Sequence, residues 1–168
     1  MGSEMCIRDR FNSNSITQRI AGTPWLPDEI VNLCDRLLQL VDGVDFLHRS
    51  GFAHCDIKPS NILVTSRGRV VVLDLGLAQS LYRQRRRQPQ CFGGTSAYMS
   101  PEQASGEPPQ PASDWFAFGV VMFETLFGYR PFQGTGVDIL FDKLAGNAIV
   151  PAPIKETGVA LSLSLIHI

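Results

Sequence analysis

The chain sets 15 Lys and Arg against 16 Asp and Glu in 168 residues, a net charge of −1 that argues against a dedicated nucleic-acid binder. Its most apolar stretch, 115–127, is too short to span a bilayer and contains Glu124, so it reads as a buried core helix of a single soluble domain with no membrane contact. Cys6, Cys34, Cys55 and Cys91 show no CxxC or CxxH spacing that would hold a metal or form a redox pair, and reduced thiols in the cytoplasm are the default.

Residues 1–10 and 163–168 back-translate to opposite senses of one transposon-derived sequencing adapter, which leaves 11–162 as the expected insert. The alternative is a natural polar start and a short apolar tail. Residues 27–50 predict an amphipathic helix with Ile30, Leu33, Leu37, Leu40, Val41, Val44 and Leu47 on one face. Asp28 and Glu29 suit its first turn, and Gly51 suits a left-handed cap after its last. Two β-branched runs, 62–65 and 70–74, joined by Ser66, Arg67, Gly68 and Arg69, predict a hairpin with Asn61 at one end and Asp74 at the other. Residues 79–94 lack periodicity and read as a loop; its Arg83 to Arg87 run is read as a solvated face, with an acidic docking or nucleic-acid contact as the alternative. Pro108, Pro109 and Pro111 exclude regular helix before Ser113, which is the expected cap of a helix starting at Asp114 and apolar on every side. One further helix is expected over 137–144.

The densest chemistry lies in His54-Cys55-Asp56-Ile57-Lys58-Pro59-Ser60-Asn61-Ile62-Leu63, followed by Asp74-Leu75-Gly76. Taken singly, an Asp or Asn in a loop is a turn former and a His is a packing residue. In this order they supply a base, a cation and two oxygen ligands, the parts phosphoryl transfer needs, because its transition state spreads charge over phosphoryl oxygens and calls mainly for positioning. Ser100-Pro101-Glu102 and Asp114-Trp115-Phe116-Ala117-Phe118-Gly119 follow downstream.

These four motifs closely resemble those of eukaryotic-like Ser/Thr protein kinases, and the phrasing of 101–107 resembles bacterial members. The resemblance covers nearly all of 11–150 and implies an α+β, protein-kinase-like fold: a mostly helical large lobe with a short β-hairpin, cut at both ends. The small lobe is missing, since no glycine-rich loop, VAIK-type lysine or partner glutamate precedes Pro27. It implies ATP and Mg2+ as cofactors and a protein Ser/Thr hydroxyl as substrate, with no nucleic-acid partner; no feature sets an oligomeric state. Asp56 would accept the hydroxyl proton, and Lys58 would place a cation on the transferred phosphoryl group. Asn61 and Asp74 would hold magnesium, and Leu63 would face the adenine. His54 would support the loop by touching Leu75, which stands where the family has phenylalanine, and Asp114 would be structural. Asp74, Leu75, Gly76, Thr95, Ser100, Pro101 and Glu102 would mark the activation segment, with Thr95 bridging Asp56 and Lys58 and Glu102 awaiting an arginine beyond this segment. Cys55 replaces the family's arginine before the catalytic aspartate, which implies an active arrangement reached without a loop phosphate. The parent is expected to be an ATP-dependent kinase and the segment alone inactive. A pseudokinase scaffold and a small-molecule phosphotransferase of the same fold are the alternatives; Lys58 and the 100–102 motif weigh against the second.

Overall fold

The computed structural model of the chain describes residues 26–81, 96–108 and 110–149. Helix α1, Pro27–Arg49, starts where Pro27 presets the first helical torsion, and Glu29 reaches back to accept from the Leu26 N–H at 3.0 Å. It ends at Gly51, whose φ of +85° is the expected left-handed exit. Leu33, Leu40 and Val44 are buried on the expected face, while Ile30, one turn from the start, is exposed.

Strands β2, Ile62–Val64, and β3, Val70–Val72, form the predicted antiparallel hairpin, with Ile62 opposite Val72 and Val64 opposite Val70. Gly68, at φ +77°, makes its turn. The second strand stops short of Asp74 because that residue turns left-handed, at φ +63°. Gln39 of α1 clamps the hairpin: its amide donates to the Gly68 carbonyl at 3.2 Å and accepts from the Val70 N–H at 3.0 Å. A second, unforeseen pair joins β1, Phe52–Ala53, to β4, Gln79–Ser80, so the segment read as a loop from Gln79 begins as a strand. The rest of that loop, with Arg83 to Arg87, lies outside the described residues.

After the four-residue helix α2, Pro101–Ala104, comes α3, Pro111–Phe127. It begins three residues before the predicted start, with Pro111 at its first position. Ser113 is therefore not the cap. It sits inside the first turn, where its hydroxyl accepts from the Gln110 N–H and donates to Glu102, tying α3 to α2. Only Ala112 of α3 is exposed, as an all-round apolar helix requires. Helix α4, Gly136–Ala145, is capped by Thr135 and Asp138.

The core is the wedge where α1, the hairpin and α3 meet: Leu40, Val44, Ile57, Ile62, Val64, Ala117 and Val121, flanked by Val70, Val72, Tyr98, Trp115 and Phe118. Each fully buried aliphatic side chain there contributes about 1.5–3 kcal/mol by its removal from water. The presence of Ile57 in this cluster anchors the loop that carries Asp56 and Lys58 directly to the core.

Candidate active site

The loop between β1 and β2 is shaped by a carboxylate that comes from far along the chain. Asp114, in the first turn of α3 and 1% exposed, accepts from the Cys55 N–H through Oδ1 at 2.8 Å. Its Oδ2 accepts from the His54 N–H at 2.7 Å and lies 2.8 Å from His48 Nε2. A buried carboxylate is tolerated only when its lone pairs are met, and three donors meet them here. The same bonds hold Cys55 at φ +67°, a left-handed conformation in which a side chain other than glycine is strained. That turn points the chain so that Asp56 follows at the open edge of the core.

His54 is fully buried and reads in one tautomer. Nδ1 accepts from the Asp56 N–H at 3.3 Å, so the ring proton sits on Nε2, which donates to the Leu73 carbonyl at 3.0 Å. His54, expected to support the loop by touching Leu75, is bonded to the backbone at Leu73 and Asp56. Leu75 itself is 56% exposed, because Asp74 turns left-handed and the 3-10 turn Leu75–Leu77 carries the side chain outward.

Asp56, Lys58 and Asn61 converge. Lys58 Nζ donates to Asp56 Oδ2 at 2.7 Å, and Asn61 Nδ2 donates to the same oxygen at 3.0 Å and to the Asp56 carbonyl at 2.9 Å. Asp56 Oδ1 accepts no hydrogen bond among the described residues. With Nδ2 of Asn61 committed to Asp56, its Oδ1 faces away from that carboxylate. Asp74 is brought alongside by the hairpin, where the Leu73 N–H donates to the Asn61 carbonyl at 2.8 Å. Asp74 Oδ1 accepts from the Gly76 N–H at 3.1 Å, and a Cβ on Gly76 would lie 2.9 Å from that oxygen, so a side chain there would push the Asp74 carboxylate aside. Leu63 alternates with buried Ile62 and Val64 and so stands on the face of the hairpin away from the core.

Ser100 and Gln103 form a capping box at α2, and the Gln103 amide also donates to the Cys55 carbonyl at 3.3 Å, linking the 100–102 motif to the Asp56 loop. Glu102, expected to pair with an arginine beyond this segment, accepts from the Ser113 hydroxyl. Thr95 lies outside the described residues.

A family model described as protein kinase domain matches residues 7–157. The chain belongs to the protein kinase family. Among relatives, it is 40% identical over 128 residues to the serine/threonine-protein kinase drp72 of Corynebacterium efficiens, covering 76% of this chain and 24% of that protein. It is 40% identical over 102 residues to the serine/threonine-protein kinase PknA of Mycobacterium tuberculosis, covering 61% of this chain and 24% of PknA. With the probable serine/threonine-protein kinase PknB of Lactococcus lactis it shares 37% over 130 residues, covering 77% of this chain and 19% of that protein. The chain thus spans about a quarter or less of the length of these relatives.

Two residues of this kinase domain that shape the site escape a reading of the sequence. His48 has no local signal: its partner Asp114 is 66 residues away. Lys143 does have one, since it lies one helical turn after Ile139, and both are buried on the same face of α4. No helix among the described residues is long and apolar enough to cross a membrane.

Proposed function

We propose that the protein carrying this domain transfers the terminal phosphoryl group of ATP to a serine or threonine hydroxyl of a protein. The observation that carries this reading is the sharing of one Asp56 oxygen by Lys58 and Asn61, which orients the carboxylate and leaves Oδ1 to accept from an incoming hydroxyl. Lys58, held 2.7 Å from Asp56, places an ammonium beside the group being transferred. The donor set available to a metal is the amide oxygen of Asn61 and the carboxylate of Asp74, hard oxygens that fit magnesium when nucleotide phosphates complete its shell. Bound there, the ion would neutralise phosphate charge. Leu63, on the outer face of the hairpin, offers an apolar surface to the adenine.

The domain limits belong to the same proposal: 11–162 is part of a larger kinase domain whose small lobe is encoded upstream, and the codons for 1–10 and 163–168 are adapter. Sequencing the native locus tests this; kinase codons contiguous there with those for 163–168 would overturn it. The protein encoded at that locus then tests the chemistry. Asp56→Asn is expected to lower phosphoryl transfer to a generic protein at least about a hundredfold while ATP affinity stays within about twofold, the signature of a lost proton acceptor. Transfer retained in the variant would refute the assignment of Asp56.

A further inference from the structure

Lys143 is 3% exposed, yet it stands in the middle of an amphipathic helix where lysines ordinarily face water. Its Nζ donates to the carbonyls of Ser96, at 2.6 Å, of Ala97, at 2.9 Å, and of Met99. One side chain of α4 thus grips a segment that belongs to no helix or strand. The rings of Phe116 and Phe132, with centroids 5.3 Å and 5.4 Å from Nζ, add their negative faces. A buried ammonium ordinarily has a carboxylate beside it, and among the described residues none takes that part. Glu124 is taken by Tyr98 and Arg130, and Glu102 by Ser113; on α4 itself Asp138 accepts from Thr135 and Asp142 from Asn147. The charge that does reach Lys143 is the like charge of Arg130, in the turn after α3. Burial first, and then Arg130, hold the ammonium down to about 7 from its ordinary 10.5.

When α4 parts from 96–99, the amine meets water and its ordinary basicity returns. Parting therefore takes up a proton wherever the closed amine is neutral and the open one charged. We propose that the grip of Lys143 on 96–99 is a proton-sensitive clasp, held shut in alkaline conditions and loosened as pH falls. Between about 7 and 10.5 the closed form binds fewer protons than the open form, so the opening constant rises with every step toward acid. Below about 7 the closed form is charged too, its three N–H donors matched by the three carbonyls, and the opening constant levels off. From pH 9 to pH 6 the linkage amounts to a rise of roughly ninetyfold. The loosening reaches beyond the segment, because α2 starts two residues after Met99 and its Gln103 amide donates to the Cys55 carbonyl, next to Asp56. The clasp does not depend on phosphotransfer chemistry.

Two measurements on the native-locus protein test it. With 13C at lysine Cε, the resonance that disappears in Lys143→Met is expected to titrate near pH 7; a midpoint near 10.5 would overturn the proposal. A ten-residue helix is marginal by itself, so α4 frays when it parts and its amides report the opening. Amide hydrogen exchange in α4, corrected for the chemical rate of the free peptide at each pH, is expected to give opening constants that rise roughly ninetyfold from pH 9 to pH 6. In Lys143→Met, which keeps length and apolar contact but cannot take up the proton, the same profile is expected to be flat. Lys143→Gln, equally without charge, replaces it where the methionine variant does not fold. A flat profile in the unsubstituted protein, or the same slope in the variant, would overturn the proposal. So would exchange in α4 as slow as in the buried turns of α1, since α4 would then part from 96–99 only when the whole domain unfolds.

Discussion

Replacing Asp114 by asparagine changes one atom of a nearly isosteric side chain, yet the two carboxylate oxygens have separate partners and the loss is large. The carboxylate serves two backbone N–H groups through different oxygens, Cys55 at Oδ1 and His54 at Oδ2. An asparagine has one acceptor oxygen, so in either flip it can serve only one of them and turns its own NH2 against the other. His48 can adapt by offering a bare ring nitrogen; the backbone cannot. Leaving one buried N–H unmet and removing the charge that strengthened the remaining bonds amounts to about 2–4 kcal/mol. For a domain of typical kinase size that lowers the melting temperature by roughly 5–15 °C. Turnover should fall as well, because the left-handed turn at Cys55 that presents Asp56 loses half of its support. The assay is calorimetric or fluorescence-detected unfolding of the native-locus protein and of the variant, with His48→Ala and the double variant closing a cycle. A melting temperature within about 2 °C of the parent, or additive effects of the two substitutions, would refute the view that Asp114 organises this loop through these bonds.

Gly76→Ala would thrust a methyl group to 2.9 Å from Asp74 Oδ1, so the magnesium concentration needed for half-maximal activity should rise at least about tenfold with little change in melting temperature, as a metal titration would show. The Tyr98 phenol, which donates to Glu124 at 2.5 Å, is held well above its ordinary value of 10.0, first by burial and then by that carboxylate, against a smaller opposing effect of Arg130. Its contribution to stability is therefore complete below pH 10 and lost as pH rises beyond it; in unfolding measured against pH, Tyr98→Phe should lack this alkaline decline. Lys143 has the opposite sign: its proton is held less tightly folded, at about 7, than unfolded, at 10.5, so stability should climb between those values, and Lys143→Met should be flat across the same window.

What was legible in the chain was whatever depends on neighbours in sequence. The buried face of α1, the hairpin with Gly68 at its turn and the left-handed Gly51 all follow from period and local torsion, and the fold class follows from motif order. The Asp56, Lys58 and Asn61 cluster is equally local, because a single short loop contains it. Ser113 misled because a serine before an apolar run has two uses, capping from outside the helix or bonding back from its third position, and Pro111 decided between them by supplying an earlier start. The strand at Gln79 could not be read since two residues show no alternation and its partner strand, Phe52–Ala53, is distant. His48 and Lys143 show the same limit on the functional side. A polar residue that is buried by contacts dozens of positions away carries no periodic signature until one asks which buried residue shares its face.

The bond from the Cys55 N–H to Asp114 spans 59 residues, and it bears on how the protein is born. A ribosome adding about 5–20 residues per second needs roughly 3–12 s to travel from Cys55 to its anchor. Through that interval the loop bearing Asp56 has been synthesised without the carboxylate that meets its His54 and Cys55 N–H groups. The settled shape of that loop is therefore deferred until α3 emerges and docks.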